Sequence, residues 1–124
     1  MKKFVISLMV IFALVLGMAL YSIAAAPTTE EEGMIIFDTQ GQTTAGSYTV
    51  YGIAWSSSAA GFIASGNSMI ITDAGSGTVI STTVASGAND EFLQTFPNGI
   101  KVNGLTATGL TSGKGKIYIN ANKR

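Results

Sequence analysis

The sequence predicts an all-β fold: an antiparallel β-sandwich of jelly-roll-like type with about eight short strands, behind an N-terminal hydrophobic signal or anchor helix. After residue 33, short β-branched and aromatic runs alternate with turns of Gly, Ser, Asn and Asp, and no stretch keeps a helical period. Residues 4–23, in contrast, are almost wholly apolar. We therefore divide the chain into a signal peptide or membrane anchor (1–26), a linker (27–33), a β-sandwich domain (34–122) and a basic tail (123–124).

The N-terminal segment has the three parts of a secretory signal: a basic start at Lys2 and Lys3, the apolar run and small residues at 24–26. The run exceeds the roughly 7–15 residues of a cleaved signal and approaches the roughly 20 of a membrane-spanning helix. Cleavage and retention as an anchor therefore both remain open. In both cases we expect an exported domain, located in the periplasm, on the cell surface or outside the cell. Contact with the membrane is expected only through residues 4–23, if the leader is retained.

Two cleavage positions fit the small-residue rule. Cleavage after Ala24 places Ser22 and Ala24 at the two small positions. Cleavage after Ala26 places Ala24 and Ala26 there, with the rigid ring of Pro27 directly beyond. Residues 27–33, which follow, are predicted to be a solvated spacer because Gly33 ends any helix after one turn.

The strands are predicted from alternating apolar positions between turns. The clearest is Ser47–Ser56, which places Tyr51, Ile53 and Trp55 on one face. Ser68–Asp73 and Thr78–Ala85 form the clearest hairpin, because Ala-Gly-Ser-Gly between them tolerates positive φ. The other predicted strands are Met34–Thr39, Glu91–Phe96 and Lys116–Asn120. Phe62–Ser65 is predicted as a short strand or a bulge, and Ile100–Asn103 and Leu105–Leu110 as two strands or one bent strand broken at Asn103-Gly104.

The large apolar residues on consistent strand faces are predicted to form the core between the two sheets. They are Ile53, Trp55, Ile80, Phe92, Phe96, Ile117 and Ile119.

Composition excludes several functions. The chain has no cysteine and no histidine, so a Ser-His-Asp triad, a cysteine nucleophile and a zinc site are absent. Charged residues make up only 11% of the chain, without a basic cluster, so no nucleic-acid partner is expected. Asp73 is interpreted as a turn former, with a weak calcium ligand as the alternative, and Asp90 as a loop residue. We therefore predict no catalytic residue, no cofactor, no metal site and no enzyme activity.

Three aromatic residues are candidates for a ligand site or interface. Tyr51 and Trp55 share a predicted strand face and could stack on a sugar, although a core role is the simpler interpretation because Ile53 lies between them. Tyr118 alternates with Ile117 and Ile119, which predicts an exposed ring.

The order of features from residue 48 to 120 resembles that of small single-domain β-sandwich proteins of phage and prophage type. The features that carry the resemblance are Ser-Met-Ile-Ile-Thr-Asp-Ala-Gly-Ser-Gly-Thr-Val from Ser68, the Phe-Pro step at Phe96, Ile-Lys-Val-Asn-Gly-Leu-Thr-Ala-Thr from Ile100, and Gly113 to Ile119. The resemblance implies the fold and no functional residues.

Three functions follow from these features. The first is an exported, non-enzymatic structural or adhesive module that associates with itself, since a Ser/Thr/Gly/Asn surface carries little charge repulsion. The second is a carbohydrate-binding module that binds an uncharged surface glycan through Tyr51, Trp55 or Tyr118. The third is a phage-derived virion decoration or surface protein.

Overall fold

The computed structural model describes residues 25–27, 29–31, 33–58 and 61–124. Seven strands account for most of them, and the described residues contain no helix. The predicted signal or anchor helix lies outside the described residues. The strands are β1 (Thr29–Glu31), β2 (Gly33–Phe37), β3 (Thr43–Ser56), β4 (Ser68–Asp73), β5 (Val79–Val84), β6 (Phe92–Leu110) and β7 (Lys116–Lys123).

All strand pairs are antiparallel and belong to one sheet in the order β1-β2-β7-β3-β6-β4-β5. The all-β, antiparallel class is as predicted. The arrangement differs, since the sequence predicts about eight strands in two sheets and the described residues form seven strands in one sheet. The predicted strands Glu91–Phe96, Ile100–Asn103 and Leu105–Leu110 form one long strand, β6. Phe62–Ser65, predicted as a short strand or a bulge, is a loop that buries Ile63.

The long strands β3 and β6 are irregular at the same level. Gly52 pairs with Thr95 while Val50 pairs with Ile100, so Phe96–Gly99 of β6 lie opposite Tyr51. Against β7, Val50 pairs with Ala121 and Gly52 with Asn120, so Tyr51 is an extra, bulged residue in β3. A bulge reverses which alternate residues face the core. Tyr48 and Val50 are buried before it, and Ile53 and Trp55 after it. The predicted sharing of one face by Tyr51, Ile53 and Trp55 is therefore wrong, because strict alternation does not continue through the bulge.

The single sheet encloses a core because it curls. Ser81, on edge strand β5, donates a 2.8 Å side-chain hydrogen bond to Gln94 in the first half of β6. Strand β5 is separated from β6 by β4, so this bond requires the first half of β6 to fold back over the sheet. The side chains on the concave side are consequently removed from water. The largest fully buried ones are Trp55, Phe37, Ile35, Ile53, Ile63, Met69, Ile71, Leu105, Ile117, Ile119 and Val50.

The predicted core is confirmed for Ile53, Trp55, Ile117 and Ile119, which are fully buried. The other three predicted members, Ile80, Phe92 and Phe96, are half-buried and pack against the core from its margin. They lie on β5 and on the first half of β6, where the curled sheet ends.

The predicted hairpin is confirmed. Ser68 pairs with Val84 and Ile71 with Ser81, and the connecting turn is closed by a 2.9 Å bond from the Asp73 N–H to the Thr78 carbonyl. The Asp73 carboxylate accepts further bonds from the backbone N–H groups of Gly75 and Ser76. This is the turn-forming role expected of an aspartate at that position.

The segment 27–33 contains strand β1 instead of a featureless spacer. Thr29 pairs with Ile36 and Glu31 with Met34, which adds β1 to the edge of the sheet. Gly33, with a φ of 87°, makes the tight reversal into β2. The sheet therefore includes a segment that composition alone assigned to a linker.

Candidate assembly surface

Strand β5 forms one free edge of the sheet, with no strand beyond it among the described residues. Its sequence is Val-Ile-Ser-Thr-Thr-Val, without a charged residue or a proline. Val79 and Val84 are 54% and 64% exposed. Natural edge strands are usually protected by lysine, proline or a covering segment, because their free N–H and C=O groups can pair with another strand. Strand β5 lacks the first two of these protections.

The opposite edge is different. Strand β1 has the sequence Thr-Glu-Glu, so two of its three residues are acidic. Lys116 and Lys123 lie in β7, an interior strand, and Lys101 lies in the half of β6 that pairs with β3 but not with β4. The two edges are therefore unequal, and the uncharged one is β5.

The convex face of the sheet carries a second apolar feature. Ala54 pairs with Leu93 on one side and with Tyr118 on the other, and Tyr118 pairs in turn with Ile36. Leu93 is 71% exposed, and the other three are half-buried. This apolar row crosses four neighbouring strands, β6, β3, β7 and β2. The adjacent row holds Thr95, Gly52, Asn120 and Met34.

The three aromatic residues predicted as a ligand site or interface differ in their burial. Trp55 is only 1% exposed, and its indole N–H donates a 3.0 Å bond to the Lys114 carbonyl. Its ring therefore offers no face to a ligand. Tyr51 is 38% exposed at the bulge, where its ring lies against Gly99. Tyr118 is half-buried in the apolar row. Only Tyr51 and Tyr118 remain on the outer surface.

A cluster of polar side chains lies at the other end of β3. The Tyr48 hydroxyl donates a hydrogen bond to the Glu30 carboxylate, and the Lys123 ammonium is 3.9 Å from the same carboxylate oxygen. Burial and the neighbouring Glu30 carboxylate raise the pKa of Tyr48. The cluster borders an open cleft of about 820 Å³, which is also lined by Gly33, Ile35, Ala121 and Asn122.

The sequence does not predict this cluster, because residues 27–33 are interpreted as a spacer and strict alternation from Ile53 and Trp55 places Tyr48 on the other face of the strand. Its contacts join three separate strands: Glu30 lies on β1, Tyr48 on β3 and Lys123 on β7. Since the phenol and the ammonium both bind the same carboxylate, the arrangement holds the edge of the sheet in place.

Asp90 caps a turn in the loop before β6. Asp90 accepts three bonds at one oxygen, from the Ser86 hydroxyl and from the N–H groups of Ser86 and Gly87, at 2.8–2.9 Å. These bonds lower the pKa of Asp90. Within the residues that the structure describes, no three acidic side chains lie close enough together to hold a metal ion.

Comparisons with protein-family models, curated proteins and solved structures find no match for this chain. Within the described part of the chain, no helix is long and apolar enough to cross a membrane.

Proposed function

We propose that this chain is an exported, non-enzymatic structural module that assembles with copies of itself by pairing of strand β5. The observation that carries the proposal is the β5 edge, which is uncharged and exposes Val79 and Val84. Such an edge offers free backbone donors and acceptors to a second strand without electrostatic repulsion.

A second copy is the partner that fits β5 best. Five of its six residues are β-branched, a composition that favours extended structure. Two identical strands can pair antiparallel about a two-fold axis, which gives the closed, self-complementary interface common among homodimers. The register shift between Ile71 and Thr72 bends β5 near Ile80. We therefore assign the pairing to the regular part, Ser81–Val84, with Thr82 close to the axis.

Low charge supports association. Charged residues are 11% of the chain, compared with about 25% in soluble domains. The acidic β1 edge disfavours pairing of β1 with itself, so assembly through β5 would stop at two copies. Larger assemblies would then need the apolar row on the convex face as a second contact.

Export rests on the leader, which would deliver the domain to the periplasm, the cell surface or the exterior. There it would act as a structural or adhesive element, with the two halves of the curled sheet serving as the layers of a sandwich. A role in a phage-derived surface structure is compatible with the same assembly.

The test is sedimentation velocity of the exported protein over a concentration series. Thr82→Lys places a charge at the exposed centre of β5, and Thr108→Lys places the same charge at an exposed position on interior strand β6. We expect the native protein and Thr108→Lys to dimerise and Thr82→Lys to remain monomeric with an unchanged circular dichroism spectrum. Dimerisation of Thr82→Lys at native strength would refute the edge contact.

Leu93→Lys tests the convex face in the same assay. Loss of the dimer in Leu93→Lys, with Thr82→Lys still dimeric, would assign the contact to the apolar row and overturn pairing through β5. A native protein that is monomeric and binds a polysaccharide, with binding lost in Tyr51→Ala or Tyr118→Ala, would favour the carbohydrate-binding function instead.

A further inference from the structure

The folded part of the chain extends back to Ala25. The N–H of Thr43, the first residue of β3, donates a 2.8 Å hydrogen bond to the Ala25 carbonyl. Strand β7 pairs with β3 only from Tyr48 onward. Thr43 therefore lies beyond the end of β7, and Ala25 takes the position next to β3 that β7 leaves open.

The residues after Ala25 are also bound to the domain. Pro27 is half-buried, and β1 then pairs with β2 from Thr29 onward. Glu30 adds the side-chain contacts to Tyr48 and Lys123. Since Ala26 precedes a proline, its backbone is restricted to extended conformations, which suits a short arm lying along the sheet. Ala25, Pro27 and β1 are thus integral parts of the fold.

We propose that the leader is removed by hydrolysis of the Ala24–Ala25 peptide bond, so that the mature protein begins at Ala25. A leader peptidase would add water across this bond, leaving the new carboxylate on Ala24 and the new amine on Ala25. Ser22 and Ala24 then occupy the small-residue positions. Ala25 stays with the domain and keeps its carbonyl on the Thr43 N–H.

The alternative bond, Ala26–Pro27, fits both the sequence and the fold less well. Its cleavage would place a proline first after the cut. It would also remove the Ala25 carbonyl and leave the Thr43 N–H without its acceptor in the fold. The structure thus distinguishes two positions that the small-residue rule treats alike.

This inference rests on the proposed export, and the experiment separates the two. The full chain is expressed, cells are fractionated, and the intact mass and N-terminal sequence are measured for the native chain, Ala24→Leu and Ala26→Leu. We expect the exported native protein and exported Ala26→Leu to begin at Ala25, because leucine at 26 leaves both small positions intact. Ala24→Leu should lose this product, because leucine replaces the small residue at the cut.

The outcomes are distinguishable. An exported native protein that begins at Pro27, with processing lost in Ala26→Leu, would overturn cleavage at Ala25 and leave export intact. A membrane-bound protein that begins at Met1 would also overturn cleavage at Ala25 and leave export intact. It would show that the leader is retained as an anchor. A soluble cytoplasmic protein that begins at Met1 would overturn both this inference and the proposed exported role.

Discussion

The hydroxyl of Tyr48 donates a hydrogen bond to the carboxylate of Glu30, and this contact fastens strand β1 to strand β3. The two residues are 18 positions apart in the sequence. Tyr48 is almost completely buried, and its hydroxyl also contacts the Ala45 carbonyl at 3.2 Å. The contact stabilises the edge of the sheet that lies farthest from β5.

Replacing Tyr48 by phenylalanine should lower the free energy of unfolding by about 1–2 kcal/mol at neutral pH, because the hydroxyl loses its partners without a change in ring packing. Chemical denaturation measures this loss. Tyr118→Phe, on the convex face, is the matched control and should have little effect. An equal loss in both variants would show that the contact with Glu30 contributes nothing specific.

The same tyrosine predicts an alkaline dependence of stability. Burial and the Glu30 carboxylate raise its pKa in the fold above the ordinary tyrosine value of 10.0, so the fold favours the neutral phenol. The corresponding stability is complete below pH 10.0 and is lost as the pH rises through the raised pKa. The free energy of unfolding should fall more steeply above pH 10.0 in the native protein than in Tyr48→Phe. Parallel curves would contradict this assignment.

Much of the fold could be predicted from residues of β4, β5 and β7, where regular alternation and a glycine-rich turn determine the local structure. The hairpin and the burial of Ile117 and Ile119 are examples. The face of Tyr48 could not be predicted, because it depends on a bulge at Tyr51 that is seen only in the pairing of β3 with β6 and β7.

The assembly surface shows the same limit. The absence of charge in Val79–Val84 can be read directly from the sequence. Its position at the edge depends on strand order, which the sequence did not reveal. Glu30 is a related example, since a run of three glutamates is typical of a solvated spacer and the contact with Tyr48 requires β1 to join the sheet.

Two phenylalanines test where the core lies. Phe37 on β2 is fully buried, whereas Phe62 in the loop before β4 is largely exposed. Phe37→Ala should cost about 3–5 kcal/mol of unfolding free energy, and Phe62→Ala no more than about 0.5 kcal/mol. Denaturant melts of both variants check this. Similar costs for the two would mean that the concave side of the sheet is not the core.

Gly104, within β6, tests the close approach of β6 to its neighbours. Its φ is 88°, and a Cβ at this position would lie 2.6 Å from the Thr44 carbonyl oxygen and 3.0 Å from the Ala74 Cβ. Gly104→Ala should therefore destabilise the fold by more than about 1 kcal/mol, through backbone strain and overlap. Gly87→Ala is the control, since its nearest contact would be 3.8 Å away. A thermal melt unchanged in Gly104→Ala would contradict the described path of β6.

The most direct test of the proposed assembly through β5 is amide hydrogen exchange of the protein at low and high concentration. In a β5-paired dimer, the outward-facing amides of Ser81–Val84 gain hydrogen-bond partners and exchange more slowly as the concentration rises. The amides of β1, at the opposite edge, should exchange at the same rate at both concentrations. Slower exchange confined to β5 is the predicted result, and exchange in β5 that does not change with concentration would contradict the account.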